Sequence, residues 1–264
     1  EGMKVIASGD VTVGGFIESA LIEAGGDVTI SGGIIGHKHD TDKTQISDVK
    51  MSVNVNAKGN LYAKYCQYAQ INCGNDIRIE NQLLHSQVNV QGGLRVGSED
   101  KSDGTLIGGV IKAGTHVSAG ILGATAGSNT IVNFEHEVLK LQEKMDDIEA
   151  RIAVEDDTTA ELKAAIDKLK QLPKEKRNPE MLAKVVSTYQ HHASLMGKII
   201  LEKEEHEKAT QAYKESVYLE ATEKMYQGVQ LIVGEFNDRT RREYGPSRMV
   251  YKERKVHIEP LVNT

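Results

Sequence analysis

The residues whose types and spacing best suit metal chemistry stand together in one short polar stretch. His37 and His39 are separated by a single residue, and Asp40 and Asp42 follow them closely. On a strand, a His-x-His spacing places both imidazole rings on one face, and imidazole with carboxylate suits Zn²⁺ or another transition metal ion. A polar loop exposed to solvent accounts for the same residues without a ligand. We favour the loop and predict no metal site, keeping these four residues as candidates.

Carboxylates are the other residues that could carry chemistry, because glycoside hydrolysis uses a pair of them on one face. Asp10, Asp27 and Asp76 each precede a short apolar–polar–apolar segment, where aspartate stabilises a turn. Aromatic residues make up only 5% of the chain and tryptophan is absent, which leaves little surface for stacking on sugar rings. We therefore expect no catalytic residue, no cofactor and no enzymatic activity. The alternative is a carbohydrate-active β-helix enzyme, a lyase or hydrolase that uses the groove beside the polar loops.

Histidines and basic residues in the second half have structural explanations. His191 and His192 are adjacent on a predicted helix, so their side chains point about 100° apart and cannot easily share a ligand. His206 lies in an acidic run and is expected on a charged helix face. The C-terminal segment is basic through Arg239, Arg241, Arg242, Arg248, Lys252, Arg254 and Lys255. This segment could bind an acidic partner or, less readily, nucleic acid. We favour a charged strand edge that discourages association with the sheets of other molecules.

A repeat of about 17 residues organises the first half of the chain. Residues 9–13 read Gly-Asp-Val-Thr-Val, residues 26–30 read Gly-Asp-Val-Thr-Ile, and looser copies begin at Gly59, Asn75 and Gly93. Strands this short can bury an apolar face only by stacking on their neighbours. The regular spacing favours a right-handed parallel β-helix over an antiparallel sandwich. Polar insertions at residues 37–52 and 98–104 are predicted to be loops, where solenoids usually carry their binding determinants.

A heptad pattern replaces this repeat after residue 133. Its apolar positions include Val138, Leu141, Met145, Ile148 and Ile152. Such a pattern predicts a coiled-coil seam. Pro173 and Pro179 bracket a lysine-rich turn, so a second helix is expected from about residue 179 to 227, antiparallel to the first.

The fold prediction is therefore mainly β with a long α insertion, in three regions. Residues 1–131 form the parallel β-helix, 132–228 an antiparallel two-helix coiled-coil arm, and 229–264 a C-terminal β segment that caps or rejoins the β-helix. Strands are expected at residues 229–233, 248–251 and 255–258. The chain also begins in the middle of the repeat pattern, so we expect the natural protein to extend further toward its N-terminus.

Composition narrows the functional classes. The formal net charge of −6 disfavours general attraction to nucleic acid or anionic lipid. Apolar segments are too short to span a bilayer, so we expect no membrane insertion and a cytoplasmic location. The two cysteines, Cys66 and Cys73, are expected to be small, half-buried thiols rather than a disulfide.

The order of these features resembles the flagellar assembly protein A (FapA) family. The resemblance lies in the Gly-Asp-Val-Thr repeats, the Ser-Gly-Gly-Ile-Ile-Gly segment at residues 31–36, the Ala-Gly run at Ala113 and Gly114, and the late helical hairpin with its short β tail. It implies a bacterial cytoplasmic protein connected with flagellar assembly or polar organisation, and it transfers no catalytic residue. From the residues, we expect a non-catalytic scaffold that binds protein partners through the arm or the polar loops, or that forms a homo-oligomer.

Overall fold

A computed structural model of the chain describes residues 2–38 and 51–261. The described residues are mainly β, with two long helices. Strands β1–β18 are, in order, Lys4–Ala7, Val11–Val13, Ile17–Glu18, Leu21–Ala24, Val28–Ile35, Val53–Ala57, Leu61–Gln67, Ala69–Cys73, Ile77–Val90, Leu94–Val96, Thr105–Ala113, His116–Leu122, Thr130–Asn133, Tyr218–Met225, Val229–Val233, Phe236–Arg239, Ser247–Lys252 and Lys255–Pro260. Helix α1 is Glu135–Gln171 and helix α2 is Pro179–Ser216. The chain divides into two compact units, one of Glu1–Val138 with Lys214–Thr264 and the other of Leu139–Tyr213.

The strands of the first unit stack in parallel on three faces. Face 1 contains β2, the first parts of β5, β7 and β9, then β10, β12 and β14. Face 2 contains β3, the later parts of those long strands and the first part of β11. Face 3 contains β1, β4, β6, β8, the ends of β9 and β11, then β13 and β15. The chain visits faces 3, 1 and 2 in turn, so long strands bend from one face to the next.

The core of this coil consists of aliphatic rows that run across the strands. On face 1 the paired residues Val28, Leu61, Ile77, Leu94, Val117 and Leu219 are each at most 2% exposed. The intervening residues of each strand point outward, which explains the apolar–polar–apolar pattern of every repeat copy. Burying one such aliphatic side chain contributes about 1.5–3 kcal/mol, so the rows supply most of the driving force for stacking.

The repeat copies found in the sequence are register partners in this coil. Val11 pairs with Val28, Leu61 with Ile77, and Ile77 with Leu94. The loop at residues 98–104 lies outside every strand, as expected from its polar composition. The chain leaves face 3 at Asn133 and enters face 1 again at Tyr218, so in sequence the two helices are inserted between a face 3 strand and a face 1 strand.

The second unit is a pair of antiparallel helices. Residues of α1 contact residues of α2 in reverse order, since Glu149 pairs with Lys203 and Glu155 with His192. Asn178 begins α2, because its side-chain oxygen accepts hydrogen bonds from two backbone N–H groups of the first turn at 3.0 and 3.1 Å. Pro179 follows in the first helical position, which proline tolerates well. Neither helix is long and apolar enough to cross a bilayer, within the described residues.

The predicted end of the second helix is wrong. Helix α2 ends at Ser216, and the segment that we expected to continue it to residue 227 forms strand β14. The helical region is therefore shorter than residues 132–228. β14 pairs in parallel with β12 and buries Leu219 and Ala221, so the alternation of a strand overrides a weak heptad pattern there.

The C-terminal strands expected from the sequence are present, and they introduce antiparallel pairing. β15 pairs in parallel with β13 and antiparallel with β16, while β17 lies between β14 and β18, antiparallel to both. Tyr251 and Phe236 of this segment contact each other, with ring centroids 4.9 Å apart. Parallel stacking therefore gives way to hairpins at this end of the coil.

Candidate functional site

The candidate metal residues fall mostly outside the described residues. His39, Asp40 and Asp42 lie there, so neither the candidate metal site nor the favoured polar loop is tested. His37 is described, and its backbone N–H donates to the Ser52 hydroxyl at 2.9 Å. Across residues 2–38 and 51–261, no group of three or more histidine, cysteine or acidic side chains is placed to hold a metal ion.

The corner aspartates form a ladder between successive turns of the coil. Asp10 Oδ1 accepts the backbone N–H of Asp27 at 2.8 Å, and Asp27 Oδ1 accepts that of Asn60 at 2.7 Å. Asn60 Oδ1 then accepts the N–H of Asp76 at 3.2 Å, and Asp76 Oδ1 that of Gly93 at 2.7 Å. The sequence predicted a turn-stabilising role at each corner. The structure shows that each side chain bonds the next turn rather than its own.

The ladder explains the glycines at positions 26 and 59, which precede Asp27 and Asn60. A Cβ on Gly26 would lie 2.0 Å from Asp10 Oδ1, and one on Gly59 would lie 2.0 Å from Asp27 Oδ1. At these two corners the carboxylate occupies space that a side chain on the glycine would fill. The recurring Gly-Asp pair is therefore a structural device, because the aspartate of one turn fits against the glycine of the next.

Face 1 carries a row of polar side chains on its outer surface. Thr29, Tyr62, Arg78 and Arg95 occupy the same register position on neighbouring strands. The Arg78 guanidinium lies over the Tyr62 ring, 4.6 Å from its centroid, which is a cation–π contact. The Tyr62 hydroxyl donates to Glu80 at 2.5 Å, and this hydrogen bond raises the tyrosine pKa.

This row and the aspartate ladder line a cleft of about 400 Å³. Its lining residues are Asp27, Val28, Thr29, Asn60, Leu61, Tyr62, Asp76, Ile77, Arg78, Gly93, Arg95 and His116. Carboxylates and guanidinium groups therefore both line the cleft. Such a cleft can bind a ligand that has both negative charge and hydrogen-bond donors.

His116 closes one end of the cleft. Its ring stacks on Tyr218 with centroids 5.4 Å apart, and it occupies the space that a side chain at position 93 would fill. Burial lowers the pKa of His116, with Arg95 adding to the effect and Asp76 opposing it. At neutral pH the imidazole is thus uncharged, so the cations of the cleft are the two arginines.

Sequence reasoning missed this cleft, although a signal was present. Aligning the repeat copies shows threonine at the middle position of the first two copies and then Tyr62, Arg78 and Arg95. A change from small to large and charged residues at one register position marks a surface that differs from the rest of the coil.

Face 3 presents a different outer surface, made of side-chain amides. Asn56, Asn72 and Asn89 are register partners, and Asn72 Nδ2 donates to Asn56 Oδ1 at 2.7 Å. Together with Glu23 they border a broad, open depression of about 880 Å³. Amide groups paired in this way tie neighbouring strands together, so the row has a structural explanation.

His192 and His206 form hydrogen bonds to groups of the other helix. His192 Nδ1 donates to Glu155 Oε2 at 2.7 Å, which agrees with the structural role expected for it. The expectation for His206 is wrong. His206 is only 6% exposed and its Nε2 donates to the carbonyl of Leu141 at 2.7 Å, because the antiparallel packing of α1 brings an apolar seam residue against it.

Several basic residues of the C-terminal segment have partners. Arg248 Nε donates to Glu220 at 2.8 Å, and Lys252 pairs with Glu259 at 2.7 Å. Arg239 donates to Asn129 at 2.5 Å. These contacts hold β17, β18 and the β16 end in place, which supports the interpretation of this segment as a charged strand surface.

Both cysteines are free and buried. Cys66 Sγ lies 3.5 Å from Ser86 Oγ, and Cys73 donates to the carbonyl of Gly59 at 3.0 Å. Burial raises the pKa of Cys66 to about 12 and that of Cys73 to about 11. Both remain thiols at neutral pH, and thiols are poor nucleophiles.

Comparison with known proteins identifies the family of the chain. No curated protein and no solved structure matches it. A family model, described as the flagellar assembly protein A beta solenoid domain, matches residues 1–256 and so covers the coil, the helices and nearly all of the C-terminal strands. The resemblance noted from the repeats and the late hairpin is therefore confirmed, and the chain belongs to the FapA β-solenoid family.

Proposed function

We propose that the chain is a non-catalytic scaffold that binds a protein partner during flagellar assembly. The family supports the flagellar connection. The observation that carries the scaffold role is a set of exposed apolar side chains on the helical hairpin. Leu139, Val154, Leu195 and Leu201 are 52%, 63%, 36% and 60% exposed. Contiguous exposed apolar patches mark interaction sites, and we propose that these side chains form such a surface for a partner.

The polar residues of the coil support the same proposal. The carboxylates at the corners accept backbone N–H groups of the next turn, as Asp10 and Asp27 do, so their chemistry serves the fold. The coil is then a rigid platform and the hairpin is the element that binds. We include in this proposal a right-handed coil of about 17 residues per turn, a coiled-coil hairpin and a cytoplasmic location, where Cys66 and Cys73 would stay reduced.

Replacing residues 139–213 with a short Gly-Ser linker tests this role. The replacement keeps strand β14, which the coil needs. We expect the variant to keep the β signal in far-UV circular dichroism and to lose the proteins that the intact chain captures from a lysate of its own bacterium. Capture of the same proteins by the shortened chain would contradict the proposal.

A matched pair of point variants separates the hairpin surface from the hairpin fold. Changing Val154 and Leu195 to serine should weaken capture, because both are exposed apolar residues. Changing the exposed Lys163 and Lys184 to serine alters the same two helices at polar positions and should leave capture unchanged.

A further inference from the structure

The cleft on face 1 contains a cationic side chain, that of Arg95, for which the described residues offer no hydrogen bond or ion pair. The neighbouring Arg78 side chain, by contrast, lies over Tyr62 and 3.8 Å from an oxygen of the exposed Glu99. The two arginines are register partners on adjacent strands, so their backbones are about 4.8 Å apart. Two guanidinium groups at this spacing offer several N–H donors to one oxyanion.

The aspartates that line the cleft have acceptors to spare. Asp27 and Asp76 each use Oδ1 to accept a backbone N–H of the next turn. Within the described residues, the second oxygen of each carboxylate makes no hydrogen bond. These oxygens can accept N–H groups from a molecule bound in the cleft.

The charge pattern selects the chemistry of the ligand. A bare polyanion would meet Asp27 and Asp76 as well as the arginines, and the repulsion would offset part of the attraction. A peptide with an acidic side chain carries a carboxylate for the arginines and backbone N–H groups for the aspartates. A cleft of about 400 Å³ is within the usual range for a ligand site and holds a few residues of such a peptide.

We propose that the cleft between Arg78, Arg95 and the aspartate ladder binds an acidic, extended segment of a protein partner. This inference rests on the proposed function, because it supplies a second contact surface for a scaffold. It adds a polar, charge-selective site on the coil to the apolar surface on the hairpin. A carboxylate of the segment binds Arg95 and Arg78, and its backbone donates to Asp27 and Asp76.

Peptide selection on the intact chain tests the proposal. A display library of random short peptides is enriched on the immobilised protein, and the enriched peptides are synthesised with a fluorescent label. We expect Asp- and Glu-containing peptides to dominate, and Arg95→Glu to weaken their binding by about 30-fold or more. Lys112→Glu is the matched control, because it reverses an exposed charge on face 3 and should leave the affinity unchanged.

Two further measurements distinguish binding of an acidic peptide from binding of any oxyanion and from binding elsewhere on the chain. Inorganic phosphate should displace the peptides only weakly; displacement as effective as that by an unlabelled acidic peptide would show a simple oxyanion site and overturn the proposal. Equal affinity for the parent and Arg95→Glu, with unchanged circular dichroism and melting temperature, would also overturn it. The peptides are measured without the protein that binds the hairpin. A negative result with the peptides therefore leaves the hairpin proposal untouched, and a negative result in the hairpin experiment leaves the peptide proposal untouched.

Discussion

The coil and the helical hairpin use their polar side chains in different ways. In the coil, Asp27 and Asp76 accept hydrogen bonds from the backbone of the next turn. These hydrogen bonds and the buried aliphatic rows therefore both join one turn of the coil to the next. In the hairpin, charged side chains such as Arg151 and Glu202 pair across two helices at the surface, while Leu201 stays exposed. Exposed ion pairs add little to stability. The coil thus uses its polar groups to join one turn to the next, whereas the hairpin leaves apolar side chains exposed, which is the basis of the proposed scaffold role.

The largest effect that we expect from this difference is a loss of coil stability on truncating a core row. Leu94 is fully buried between Ile77 and Val117, so Leu94→Ala removes contacts with both neighbouring turns. We expect the free energy of unfolding to fall by about 2–5 kcal/mol. Val154→Ala on the hairpin should change it by less than about 0.5 kcal/mol. Urea unfolding followed by circular dichroism measures both, and equal effects would contradict the comparison.

A smaller effect should appear when the Gly-Asp device is broken. Gly26→Ala places a Cβ against the Asp10 carboxylate and should cost about 1–3 kcal/mol of unfolding free energy. In an Asp10→Ala background the carboxylate is gone, so the same change should cost less. A double-mutant cycle measures this coupling, which we expect to be about 0.5–3 kcal/mol. Simple additivity of the two changes would show that glycine is needed there for another reason.

The smallest effect that we expect is a dependence of the stability of the coil on pH. Burial lowers the pKa of His116 and of His85 below the ordinary histidine value of 6.5. The unfolded chain therefore binds protons that the folded chain does not, and stability falls as the pH drops through about 6.5. The urea midpoint should be lower at pH 5.5 than at pH 7.5, and His116→Gln with His85→Gln should reduce the difference. An unchanged pH dependence in that double variant would exclude these two groups as its source.

Much of the coil could be predicted from sequence because its signal is local and repeated. Each copy carries an alternating strand and a corner residue, and stacking is the only way for such strands to bury one face. The end of α2 could not be predicted, since Tyr218–Met225 becomes a strand through pairing with β12, a partner distant in sequence. His206 was misplaced for the same reason, because its burial depends on α1.

The cleft on face 1 could not be predicted from the sequence for the same reason. Arg78 and Arg95 are one turn of the coil apart, and Asp76 joins them only when the turns stack. Composition gave an acidic chain, and the basic segment noted in the sequence lies at the C-terminal end, away from Arg78 and Arg95 in the chain. Sequence therefore reveals the rows that build the coil more readily than the surfaces that those rows bring together.

The most direct test of the scaffold account is hydrogen–deuterium exchange on the intact chain, alone and with a partner captured from lysate. We predict that the buried strands of the coil exchange slowly in both states, and that the partner adds protection to the helical segments around Val154 and Leu195. Protection that appears only on face 3, or nowhere on the hairpin, would contradict the account.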